Sequence, residues 1–161
     1  MTYYTYIASP IGRLLLAGNE ECLQHLHFSS GSKARAPDED WVEAAEVFAE
    51  VAEQLAEYFA GQRREFQVTL QPVGTPFQLA VWEELCRIPY GETNSYGALA
   101  KRLGRPDASR AVGMANGSNP IAIIQPCHRV IGSTGKLTGF GGGLEVKQSL
   151  LDLERGERRL F

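Results

Sequence analysis

The sequence predicts an α+β fold. A small amino-terminal domain of antiparallel strands plus a helix is expected to precede a mostly helical carboxy-terminal domain that contains a helix-turn-helix. Two observations lead there: short β-prone runs separated by turn residues occupy the first part of the chain, and helical periodicity prevails later. The run Gln71-Pro72-Val73-Gly74 is the predicted linker, so the expected domains are 1–72 and 73–161.

The amino-terminal half reads as a scaffold without a constellation of chemical groups. An antiparallel meander of three strands is expected, over residues 4–8, 13–17 and 22–28. A helix is expected over residues 41–59, because apolar residues recur there at steps of three and four and the opposite face is acidic. Gly61 ends this helix, and alternating apolar residues over 66–70 predict one more strand.

The carboxy-terminal half begins with a strong helix-start signal. Thr75 is the expected N-cap, Pro76 takes the first helical position, and Gln78 closes a capping box. This helix should run to about Ile88. Two short helices and a terminal helix should follow, over residues 95–103, 107–117 and 144–153. The turn with Gly and Pro between the two short helices is typical of a helix-turn-helix.

The composition is typical of a globular protein from a reducing compartment. With 161 residues, 43% hydrophobic and 22% charged, the chain has an ordinary globular composition. Three scattered cysteines indicate a reducing compartment, and no basic or long apolar segment resembles a targeting or membrane segment, so a cytoplasmic or nucleoid location is expected. Cys22, His25 and His27 lie close together, but strand alternation places the thiol opposite the imidazoles, so no metal site is expected.

Charge is distributed unevenly along the chain. Residues 1–72 hold 5 basic and 11 acidic side chains, a balance of −6, whereas residues 94–147 hold 7 basic and 2 acidic ones, a balance of +5. Only the second segment could therefore lie comfortably against a polyanion such as DNA.

The most informative run is Pro126-Cys127-His128-Arg129-Val130, which follows a short apolar, β-like stretch. It places a thiol, a base and a cation within three residues, and a nucleophilic cysteine needs these three groups. An inert buried cysteine at the end of a core strand is the alternative interpretation of the pair alone.

This run, with Asn119-Pro120 and the Arg110-Ala111-Val112-Gly113 helix upstream, resembles the methylated-DNA–protein-cysteine methyltransferases, or O6-alkylguanine-DNA alkyltransferases. The resemblance is dense from Thr75 to Glu154 and looser before it. It implies DNA repair in which a flipped-out O6-alkylguanine irreversibly loses its alkyl group to the cysteine, without a diffusible cofactor. Double-stranded DNA is the implied partner of a protein expected to be monomeric.

The resemblance also implies a role for individual residues. Cys127 is the alkyl acceptor, His128 removes the thiol proton through a water, and Glu154 orients that histidine. Tyr96 helps to protonate the departing guanine, and Asn119 braces the turn that carries the cysteine. Arg110 replaces the extruded base in the stack, on a helix whose DNA-facing residues are Ser109, Arg110, Ala111 and Gly113. The implied pocket residues are Val130, Phe140 and Gly141.

Two positions depart from the family pattern. Phe140 stands where many members have a tyrosine, and Gln125 occupies a site that is usually apolar. Two other functions stay open: a non-catalytic module that binds alkylated DNA, as in relatives lacking the cysteine, and a hydrolase built on Cys127, His128 and Glu154. The presence of Cys127 argues against the first, and the adjacency of cysteine and histidine is unusual for the second.

Overall fold

A computed structural model describes residues 1–31, 34–137 and 139–156. Its first three strands are β1 (Tyr3–Ile7), β2 (Leu14–Gly18) and β3 (Leu23–Phe28). They pair as the predicted antiparallel meander, with β2 in the centre and a register shift at Ala17/Gly18. Every residue of β2 is buried because the strand is covered on both faces.

The amino-terminal helix begins later than its apolar periodicity predicts. Residues Val42–Glu43 form a short strand, β4, which pairs in parallel with β1. A 3₁₀ turn over Ala45–Phe48 follows, and α1 spans Ala49–Phe59. The predicted start at residue 41 is wrong because backbone hydrogen bonds from the amides of Val42 and Ala44 hold the chain at the edge of the sheet.

The strand predicted over residues 66–70 is reduced to a single bridge between Leu70 and Leu23. The side chain of Gln54 explains the difference, because it takes both backbone groups of Gln67: Nε2 donates to the carbonyl at 3.1 Å and Oε1 accepts from the amide at 2.9 Å. Those backbone groups are then occupied by a side chain instead of a neighbouring strand.

The carboxy-terminal half contains four helices in its described part. Their bounds are α2 Pro76–Leu85, α3 Tyr96–Arg102, α4 Ser109–Gly117 and α5 Leu144–Arg155. The Thr75 capping box is confirmed in both directions, although α2 ends at Leu85, before Ile88. Two-residue strands β5 (Asn94–Ser95) and β6 (Val130–Ile131) pair in parallel.

The α3–turn–α4 pair packs on α2 and forms the predicted helix-turn-helix. Ser95 caps α3 by accepting from the Ala98 amide, and Gly104, at φ 72°, makes the left-handed turn after it. Trp82 of α2 donates its indole N–H to the carbonyl of Ala115 in α4 at 2.8 Å. Among the described residues, no helix is both long and apolar enough to cross a membrane.

Two apolar clusters make up the core. The first joins the meander and α1 to residues 121–124, Leu150 and Leu153, so it draws on both halves of the chain. The second is formed by α2, α3 and α4 and includes Cys127 and Val130. The two clusters meet along the segment that leads from residue 121 to the cysteine.

Candidate active site

Cys127 lies on a strained turn. The apolar stretch before it makes one bridge, between Ile121 and Leu26, and then leaves the extended conformation. Ile123 has φ 71°, a left-handed conformation that is an outlier for a β-branched residue. Cys127, His128 and Arg129 then form a 3₁₀ turn that leads into β6.

The thiol of Cys127 is buried. Burial raises its pKa, whereas a hydrogen bond with the Asn119 side chain, the charge of Lys147 and backbone hydrogen bonds at Cys127 and Ile123 lower it. Lys147 of α5 is itself buried and donates to the Val130 carbonyl at 2.7 Å. A cation is therefore held near the sulfur, where it favours a thiolate.

His128 is fully buried and bonded to Glu154. Its Nε2 lies 2.7 Å from Glu154 Oε2, while its Nδ1 has no partner among the described residues. Burial lowers the pKa of His128 more than the neighbouring carboxylate raises it, which favours the neutral ring. A neutral imidazole that donates through Nε2 has Nδ1 as its acceptor, so Nδ1 is the basic atom.

Glu154 is the hub of the buried network. The Arg129 guanidinium binds it through two nitrogens: Nε donates to Oε1 at 2.8 Å and NH2 to Oε2 at 3.0 Å. Tyr58 of α1 donates its hydroxyl to Oε2 at 2.6 Å, and the Gly91 amide donates to Oε1 at 3.3 Å. Burial would raise the pKa of Glu154, but the hydrogen bonds and charges of His128 and Arg129 hold it well below its usual range.

Asn119 braces the loop in front of Cys127. Its Oδ1 accepts from the Ile121 amide at 3.0 Å and from Gln125 Nε2 at 2.7 Å. Its Nδ2 donates to the Gln125 carbonyl at 2.7 Å. The side chain therefore spans the turn at both ends.

A small pocket of about 40 Å³ opens beside the sulfur. Of the predicted site residues, Cys127, Asn119, Phe140 and Gly141 line it. Predicted pocket residue Val130 lies fully buried in the second core cluster and is not among the lining residues. The amino-terminal half contributes part of the wall, through Leu26, His27 and Phe28 of β3.

The predicted DNA-facing residues lie on α4. Arg110 and Ala111 are exposed, whereas Ser109 and Gly113 are half-buried. A methyl group added at Gly113 would meet the Tyr96 ring at 3.7 Å, an ordinary contact, so packing inside the protein does not require glycine there. Tyr96 packs at the edge of the cluster that contains Cys127.

No group of three or more histidine, cysteine or acidic side chains arranged for a metal ion occurs in the described ranges. The thiol of Cys22 donates to the side-chain oxygens of Gln71 and Asn19. His25 Nδ1 lies 3.0 Å from His27 Nε2, so these three side chains bind neighbouring groups.

Comparisons with known proteins identify the family. A model described as the DNA-binding domain of 6-O-methylguanine DNA methyltransferase matches residues 76–156. A second, described as the ribonuclease-like domain of the same enzyme, matches residues 2–72. The chain belongs to the 6-O-methylguanine DNA methyltransferase family.

Individual relatives are similar to this chain over almost its whole length. The methylated-DNA–protein-cysteine methyltransferase of Methanosarcina acetivorans is 55% identical over 152 residues, covering 94% of this chain and 97% of that protein. The crystal structure of Mycobacterium tuberculosis OGT in complex with DNA has a TM-score of 0.91 at 50% identity, covering 96% of this chain and 94% of that one. The O6-methylguanine-DNA methyltransferase of Pyrococcus kodakaraensis, at 23% identity and a TM-score of 0.55, shares the fold. The α+β prediction and the predicted family are confirmed.

Several residues of the site carry no sequence signal of their own. Tyr58 stands on the apolar stripe of α1, where a buried aromatic residue is expected from packing alone. Arg129 was expected to supply a positive field to the thiol, but the sequence did not predict that its guanidinium pairs with Glu154. Lys147 of α5 and His27 of β3 lie far in the sequence from Cys127 or outside its motif, so the motif does not point to them. Each joins the site through tertiary contacts that no local spacing encodes.

Proposed function

We propose that this chain repairs DNA by transferring the alkyl group of O6-methylguanine irreversibly to its own Cys127. The observation that carries the proposal is the arrangement of a buried thiol that lines a small pocket, a histidine next in the chain whose surroundings favour the neutral ring, and a glutamate bonded to that histidine whose surroundings favour the ionised form. A nucleophile, a base and an orienting group form the general pattern of cysteine nucleophiles.

Thiol ionisation is the first step. The Cys127 proton passes to His128 Nδ1, through the water that the family resemblance implies. Nε2–H meanwhile stays bonded to Glu154, which stabilises the imidazolium that forms. Lys147 and Asn119 favour the thiolate against the effect of burial. The low pKa of Glu154 keeps this carboxylate charged throughout.

Alkyl transfer then exchanges one bond for another. The sulfur–carbon bond forms as the bond from carbon to guanine O6 breaks, and the electron pair of the broken bond stays on guanine. Guanine gains one proton, for which the Tyr96 hydroxyl is the proposed donor. His128 then releases its extra proton to solvent and Tyr96 takes one up, so the net proton movement is from the thiol to the base. The methyl donor is the DNA itself, and no diffusible cofactor is needed. The thioether is stable, so each molecule reacts once.

Helix α4 is proposed to bind the DNA and to hold the alkylated guanine outside the duplex. Arg110 is exposed on this helix and is proposed to fill the space that the extruded guanine leaves, because flipping a base costs a few kcal/mol. Ser109, Ala111 and Gly113 are the proposed groove contacts. The small side chains allow the helix backbone to approach DNA closely.

Mass spectrometry after incubation with duplex DNA that contains one O6-methylguanine tests the proposal. We expect one added methyl group per molecule, on the peptide that contains Cys127, and no turnover beyond one equivalent. Cys127→Ala should bind the lesion without removing the methyl group. Cys86→Ala is the matched control, because Cys86 is an exposed free cysteine and should leave transfer unchanged.

The outcomes separate the alternatives. Removal of the methyl group with an unmodified Cys127 would indicate a hydrolase. Tight binding without any chemistry would indicate a lesion-binding module. Either result would contradict the proposal.

A cytoplasmic location and a monomeric state are also proposed. All three cysteines are free, as is typical of a reducing compartment. Cell fractionation tests the first proposal, and light scattering at several protein concentrations tests the second.

A further inference from the structure

Gln125 is a buried polar side chain that the mechanism does not use. It is 3% exposed, two residues before the nucleophile. Its Nε2 donates to Asn119 Oδ1 at 2.7 Å, and its own carbonyl accepts from Asn119 Nδ2 at 2.7 Å. The two side chains and the Gln125 backbone form a closed ring of hydrogen bonds, called here the Asn119–Gln125 clamp.

The clamp fixes which end of the Asn119 amide faces which partner. Oδ1 receives two donors, the Ile121 amide and Gln125 Nε2, so this end of the side chain is the acceptor. The opposite end, Nδ2, is left as the donor. Accepting two hydrogen bonds at Oδ1 also polarises the amide and strengthens it as a donor at Nδ2.

Asn119 lines the same small pocket as Cys127. A hydrogen bond from this side chain lowers the pKa of Cys127, in opposition to burial, which raises it. The titratable groups around the sulfur are His128 next in the chain, Lys147 of α5 and His27 across the pocket. Lys147 also lowers the pKa of Cys127, so Asn119 and Lys147 share the stabilisation of the thiolate.

The clamp also closes the strained turn. Ile123 is held at φ 71°, and the Cys127 amide donates to the Gln125 carbonyl at 2.7 Å across Pro126, which lies at φ −77° and ψ 69°. That geometry is an inverse γ-turn. The same carbonyl thus receives Asn119 Nδ2 and the Cys127 amide, and it ties the position of the sulfur to the position of Asn119.

We infer that Gln125 is a positioning residue for alkyl transfer, which acts through Asn119 and through its own carbonyl to hold the turn that carries Cys127. This inference rests on the proposed function. It assigns to Gln125 an effect on the ionisation of the nucleophile and none on DNA binding.

The test is the single-turnover rate of methyl transfer from O6-methylguanine in duplex DNA between pH 5.5 and 9, for the wild type, Gln125→Met and Gln125→Glu. Methionine keeps the length and unbranched shape of glutamine but removes the donor. Glutamate keeps the shape and turns the donor into an acceptor that faces Asn119 Oδ1. Both changes weaken the thiolate, so the rise of the rate with pH should move to higher pH.

We expect transfer by Gln125→Met to be slower at pH 7 by roughly threefold and to approach the wild-type rate at pH 9. Gln125→Glu should shift further in the same direction. The affinity for methylated duplex, measured with Cys127→Ala in the background, should not change. Convergence at high pH is the informative feature, because a merely structural defect would lower the rate at every pH.

Gln54→Leu is the matched control. Gln54 is also a buried glutamine, 4% exposed, with reciprocal bonds to the backbone of Gln67, but it lies away from the sulfur. It should lower stability and leave the pH profile in place. A wild-type pH profile in both Gln125 variants, or a uniform loss at all pH values, would overturn the inference. Failure of the wild type to methylate Cys127 would instead overturn the proposed function.

Discussion

The two halves of the molecule contribute to the site in different ways. The carboxy-terminal half supplies a contiguous unit, in which Cys127, His128 and Arg129 share one 3₁₀ turn. The amino-terminal half supplies single side chains from separate elements: Tyr58 of α1 donates to Glu154, and β3 lines the pocket beside the sulfur. The half expected to be a scaffold therefore contacts both Glu154 and the pocket beside the sulfur.

This difference shows that the candidate site draws on residues from both sides of the linker predicted at residues 71–74. The first apolar cluster joins Leu14, Leu55 and Tyr58 to Ile121, Ile123 and Leu150, so the segment that leads into the turn of Cys127 packs against the other half. The carboxylates of the amino-terminal half lie at the surface, whereas Glu154 is buried near the end of α5. Contacts at the boundary make the two halves one catalytic unit.

The largest expected effect comes from comparing a carboxylate at this boundary with one on the amino-terminal surface. Glu154→Gln should lower the free energy of unfolding by about 3–5 kcal/mol, because it leaves the buried Arg129 guanidinium without its charge partner. It should also abolish measurable methyl transfer. Urea denaturation and single-turnover assays measure the two effects.

Glu57→Gln is the control for that comparison. Glu57 forms an ion pair with Arg63 at 2.8 Å, and the two side chains are 38% and 25% exposed. A partly exposed pair of this kind contributes about 0–1 kcal/mol. Equal losses in the two variants would show that burial at the boundary does not set the strength of the Glu154 network.

A smaller effect is expected from the amino-terminal partner of Glu154. Tyr58→Phe removes the hydroxyl that donates to Oε2 at 2.6 Å, and a bond to a charged group is worth about 1.5–3 kcal/mol. Transfer should slow by roughly tenfold, the equivalent of about 1.4 kcal/mol in the barrier. Tyr3→Phe, in β1 of the same half, is the control and should change neither the free energy of unfolding nor the transfer rate. If Tyr58→Phe transferred the methyl group at the wild-type rate, the bond from Tyr58 to Glu154 would have no part in the reaction.

The same difference explains which parts of the fold and the site could be predicted from the sequence. The meander, the capping box at Thr75 and the α3–turn–α4 pair are encoded by local spacing, and Cys127 and His128 are adjacent in the chain. By contrast, α1 begins at Ala49 because Val42 is drawn to the sheet edge, and the bond from Tyr58 to Glu154 joins residues 96 positions apart. Such contacts are products of packing and leave no periodic signal.

DNA recognition offers a further comparison of the halves. Arg110→Ala should reduce repair of duplex DNA by roughly tenfold and leave attack on free O6-methylguanine unchanged, because only the duplex requires a base to be extruded. Arg13→Ala is the amino-terminal control: its guanidinium stacks on the Tyr6 ring at 4.0 Å, and its loss should not affect either substrate. Equal losses on duplex and free base in Arg110→Ala would contradict the proposed finger role.

The smallest expected effect concerns the dependence of stability on pH. In the amino-terminal half, burial first, and then neighbouring positive charges, lower the pKa of both His25 and His27 to about 4. An unfolded histidine titrates near 6.5, so between about 6.5 and about 4 the unfolded chain binds more protons. The free energy of unfolding should therefore fall as the pH falls through that window.

His25→Gln should flatten this part of the curve, both by removing one of the two groups and by relieving His27 of the charge that lowers its pKa. In the carboxy-terminal half, His128 adds to the same upper window because burial also lowers its pKa, whereas Glu154 acts in a separate, lower window. Because the pKa of Glu154 is depressed, its contribution is complete above the unfolded value of about 4.3 and is lost only as the pH falls below it. Urea midpoints measured from pH 7.5 to 3 should show the upper slope reduced in His25→Gln and the lower slope reduced in Glu154→Gln. An unchanged upper slope in His25→Gln would show that the histidine pair does not couple folding to pH.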